Sequence, residues 1–69
     1  MQKEKAKALM DAIMSINDSL NDATHLTLDM TDQDEAKRVR SVLGEIGSRL
    51  YVDLMRPIIR AFPDLDPDA

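Results

Sequence analysis

Asp18, Asp22, His25 and Asp29 recur at i, i+4, i+7 and i+11, a spacing that gathers all four on one side of a helix. Asp22-x-x-His25 has the shape of the carboxylate-x-x-histidine half-sites that hold metals in helical bundles. Such ligands project into a bundle core. His25 and Asp18 instead take the heptad position farthest from the apolar stripe described below, so the set is expected in solvent. Transition metals need several convergent ligands, which one imidazole among scattered acids does not supply. The chain is therefore expected to hold no metal and no cofactor.

Nucleophilic chemistry fares no better. Ser15, Ser19, Ser41 and Ser48 have no evident base, because His25 is the only imidazole and cysteine is absent. Gly44-Glu45-Ile46-Gly47 fits the bare GxxG pattern of one RNA-binding loop, yet it lies within a helical run and carries an acid where a basic residue would help. Lys37, Arg38 and Arg40 form the densest basic cluster and are the candidate phosphate contacts. The competing reading pairs them with Asp34 on the same helix and with Asp18 and Asp22 across a hairpin. We expect a binding protein rather than an enzyme, with Met14, Leu28, Phe62 and Leu65 as candidate protein-docking residues. Adaptable apolar side chains just off a helix seam suit that role.

The elements that must position these residues are helical. Ala6, Leu9, Ile13, Ile16, Leu20, Ala23, Thr27 and Met30 alternate three- and four-residue steps, the seam of a helix built to lie against other helices. Neither glycine nor proline occurs before Gly44, so helix 1 is expected over about residues 3–28. A break follows at 29–31. Thr31 with Asp34, or Asp32 with Glu35, then offers a capping pair, and the acids of that first turn suit the positive end of a new helix. Helix 2 is expected over about 32–56, with Val39, Leu43, Ile46, Leu50 and Leu54 inward. Pro57 should kink or restart it before a short extension at 57–62, and an acidic tail occupies 63–69.

A short connection makes an antiparallel hairpin. Pairing about the expected turn sets residue numbers summing to about 60 side by side, each arm about 25 residues or 38 Å long. Gly47 then faces Ile13 and Gly44 faces Ile16, each glycine making room for an isoleucine. Lys3, Lys5 and Lys7 come near Asp64, Asp66 and Asp68. Ile58, Ile59, Phe62 and Leu65 overhang the hairpin, where a partner subunit is the natural support.

Size argues for such a partner. A core built from 69 residues without disulfides seldom stands alone, and two hairpins back to back close a four-helix bundle. The expected architecture is thus all-α, an antiparallel hairpin over 1–62 that homodimerises. A net charge of −4 disfavours nucleic acid as the main partner, and two aromatic residues provide no stacking platform for bases. No run approaches a membrane span or a signal peptide, so a cytoplasmic protein is expected.

In outline the chain is similar to plasmid copy-number proteins that modulate RNA pairing, which are acidic helical hairpins of about this length. The likeness rests on Thr31-Asp32-Gln33-Asp34-Glu35, on Leu50-Tyr51 and on Phe62 before the acidic tail. It is architectural, and no binding residue is carried over from it. It implies the alternative function, a nucleic-acid modulator on a dimeric hairpin, beside the first expectation of a small regulatory or adaptor protein that docks another protein.

Overall fold

The computed structural model describes residues 1–68 and is helical throughout, with no strand among them; Ala69, the end of the expected tail, lies outside the described residues. Helix α1 spans Lys3–Leu26, and its last turn tightens into a 3-10 turn at Thr27–Asp29. Helix α2 spans Gln33–Arg49, a π-helical turn covers Leu50–Met55, and α3 covers Arg56–Ala61 before a 3-10 turn at Pro63–Leu65. The chain doubles back on itself in a body of 46 × 19 × 16 Å.

Of the two capping pairs legible at the break, Asp32 is the one used. Its carboxylate accepts from the Glu35 N–H at 3.1 Å, and Gln33 donates to the Met30 carbonyl at 3.0 Å to close the turn. Thr31 plays no part in capping, because Met30 is still extended and the helix begins two residues after Thr31.

The register differs from the expected one by a whole heptad. Arg40 meets Thr27, Asp64 meets Lys3 and Gly47 lies against Leu20, so residue numbers summing to 67 stand level. The connection explains the difference. Extended and 3-10 residues rise about 3.3 and 2.0 Å each against 1.5 Å in an α-helix, so α2 needs more residues to descend than the turn needed to climb. The pairing of Gly47 with Ile13 and of Gly44 with Ile16 is therefore absent: Gly44 faces open space, and Gly47 has the Leu20 Cδ1 at 4.0 Å from where a Cβ would sit.

Because of that shift the residues beyond Pro57 do not overhang. Ile59, Phe62 and Leu65 pack on a core of Ala6, Met10, Ile13, Met55 and Ile58 within the same chain. On the first arm the inward positions are Ala6, Met10, Ile13, Asn17, Leu20, Thr24 and Thr27, all buried or half-buried, whereas Leu9 and Ile16 of the expected seam are exposed. On the second arm Ala36, Arg40, Leu43, Gly47 and Leu50 turn inward, while Ile46 and Leu54 are exposed and Val39 is half-buried.

Leu54 loses its expected core place to the π turn. Pro57 lacks the N–H that an α-helix would aim at the carbonyl four residues back, and its ring crowds that carbonyl. The chain widens instead of breaking: the Arg56 N–H reaches the Tyr51 carbonyl, five residues back, and Pro57 falls in the first turn of α3, where no donor is required. One extra residue per turn puts Met55, not Leu54, under Leu50 in phase, and Met55 and Ile58 are buried.

Candidate interaction surface

The basic cluster does not present three free cations. Arg38 forks onto Glu35, donating from Nη2 to Oε1 at 2.5 Å and from Nε to Oε2 at 3.4 Å. That hydrogen bonding, helped by the guanidinium charge, holds the Glu35 carboxyl below its ordinary range. Arg40 donates from Nη1 to the Thr27 hydroxyl at 3.1 Å, leaving Lys37 alone exposed and without an ion pair among the described residues. Asp18 and Asp22, expected beside this cluster, are displaced from it by the heptad shift in register.

Asp18, Asp22, His25 and Asp29 are all exposed, and no trio of metal-ligating side chains converges among the described residues. The Ser15 hydroxyl donates to the Asp11 carbonyl within its own helix at 3.2 Å. At the open end Lys3 forms an ion pair with Asp64, tying the tail to the first turn of α1. The Lys3 hydrogen bond outweighs slight desolvation and keeps the Asp64 carboxyl below its ordinary range.

Of the four candidate docking residues, three are engaged internally. Met14, Phe62 and Leu65 pack against the core, a consequence of the heptad shift and of the helix rotation that brings Met10 inward. Leu28 stands out at the turn, 67% exposed, beside Leu26 at 72%.

The larger apolar surface lies elsewhere. Leu9, Ile16, Val42, Ile46 and Leu54 are each between 38% and 47% exposed. Ile46, Leu50 and Leu54 line a shallow groove walled by Arg49 and Asp53, which pair at 3.3 Å. Val42, expected to widen the inner face of helix 2, is instead 45% exposed. Its signal was its place one residue before Leu43, which widens the apolar face of α2. A smaller cleft at the open end is lined by Met1, Pro57, Ile58, Ala61 and Phe62. No helix is long and apolar enough to cross a membrane. Neither a family model, nor a curated protein, nor a solved structure matches the chain.

Proposed function

We propose that this chain is a non-catalytic regulatory or adaptor protein that works by protein–protein contact as a helical homodimer, two hairpins forming a four-helix bundle. The observation that carries this reading is surplus surface. A compact monomer of 7.8 kDa is expected to expose about 4,400 Å², and this chain exposes 5194 Å². The surplus, roughly 800 Å², belongs to a slender body of 46 × 19 × 16 Å that leaves much of its apolar surface for a second copy to cover. Ile13 is the one large side chain fully buried among the described residues, a small core for an independent fold.

The nucleic-acid alternative draws no support from the geometry, since Arg38 and Arg40 are committed to Glu35 and Thr27. Sedimentation equilibrium at micromolar concentration tests the proposal: a mass of two chains is expected, with a melting temperature that rises with concentration. A single 7.8 kDa species with a sharp, concentration-independent melt would overturn it.

A further inference from the structure

We propose that the second copy seats on one particular broad face of the hairpin, the face of Leu9, Ile16, Val42, Ile46 and Leu54, and that the same face is used by both subunits. This deepens the homodimer reading above and rests on it.

The five residues share a face for a geometric reason. A step of three residues along an α-helix falls about 60° short of a full turn. Ile16 therefore lies to one side of the inward Ile13, and Ile46 to one side of the inward Leu43. The arms run in opposite directions, so equal steps turn both side chains toward the same face of the hairpin. Leu9, one position before Met10, and Val42, one before Leu43, rotate the same way. The π turn adds Leu54, one residue before the buried Met55, to that face rather than to the core.

The charges on this face cancel, Lys5 and Arg49 against Glu35 and Asp53. On α1 the same rotation brings Ala12, Ser19 and Ala23 to the face, with Lys5 as its only charge. On the second arm Glu35 lies toward one end, and Arg49 neutralises Asp53 at the groove. The opposite face carries Lys3, Lys7, Asp18, His25 and Lys37. A face whose charges cancel lets a chain of net charge −4 meet its own copy without like-charge repulsion, and its five exposed apolar residues supply the contact.

The absence of cysteine allows a direct test with single thiols. Ile16→Cys and Ile46→Cys are compared with Asn21→Cys and Ser48→Cys, on the opposite face, in maleimide labelling across nanomolar to high micromolar concentration, with mass followed by sedimentation. The proposal expects labelling at 16 and 46 to slow at least tenfold as the two-chain species forms, while 21 and 48 label fast throughout. A two-chain mass with fast, concentration-independent labelling at 16 and 46 overturns the face and leaves the dimer standing. A one-chain mass at every concentration overturns the dimer reading beneath it.

Discussion

The Arg40 guanidinium reaches across the hairpin to the Thr27 hydroxyl at 3.1 Å, and that hydroxyl in turn donates to the Thr24 carbonyl at 2.6 Å. Thr27 is 3% exposed, so this relay is a buried polar joint at the turn end, far from the Lys3–Asp64 pair at the other. The two contacts mark the register at either end of the hairpin.

Removing the hydroxyl should loosen the turn end. Thr27→Val keeps the shape and loses both hydrogen bonds, with an expected cost of about 1–2 kcal/mol. In a domain of this size that lowers the melting temperature by about 4–8 °C per kcal/mol, readable by circular dichroism. Arg40→Met in the Thr27→Val background should add little, and a fully additive double mutant would show that the two groups are not coupled.

Gly44→Ala should stabilise the protein. A Cβ at position 44 meets nothing within 4 Å, and the backbone there has no positive φ. The gain is the helix-propensity difference, about 0.8–1 kcal/mol, seen as a higher denaturant midpoint with unchanged slope. Gly47→Ala should be tolerated likewise, since its Cβ would touch the Leu20 Cδ1 at an ordinary distance of 4.0 Å.

Truncation at adjacent positions should separate the π turn from a regular helix. Met55→Ala removes a buried side chain and should cost about 2–4 kcal/mol in urea titrations. Leu54→Ala, measured where the chain is dilute enough to be a single subunit, should cost less than about 1 kcal/mol because the side chain is already wet. The reverse order would mean that the α-helical phase continues through Leu54.

The tail contact should depend on acid pH and on salt. Asp64 and Glu35 both titrate below their ordinary values, near 3.9 and 4.3 in unfolded chains. A depressed carboxylate contributes its stabilisation fully above the unfolded value and loses it as pH falls through the folded one. Amide exchange at Leu65 should therefore be faster in Lys3→Met than in the parent at pH 6, and the difference should vanish below the ordinary carboxylate range. High salt should shrink it too, since both partners are exposed. Equal exchange in the two proteins at pH 6 would dissociate the tail from Lys3.

Much of this fold is written in local pattern. Three- and four-residue apolar steps specify two helical arms, Thr31-Asp32-Gln33-Asp34-Glu35 narrows the start of the second to two adjacent capping pairs, and lysines at one end with acids at the other specify which ends attract. Each rests on neighbours within a turn or two, or on charge, and both can be read without coordinates.

Three features were decided only in three dimensions. Ile13, Leu20 and Thr27 serve two overlapping stripes, one flanked by Leu9 and Ile16 and the other by Met10, Asn17 and Thr24. Periodicity fits both, and the position of the opposing arm selects the second. The register followed from the rise per residue of a six-residue connection, whose small changes move the whole second arm by a heptad and carry Phe62 and Leu65 from a surface onto the core. The phase of the last core residues followed from how the chain absorbed Pro57. A wider turn and a break are both open to the same residues, and packing of Met55 and Ile58 against Ala6 and Met10 favours the wider turn.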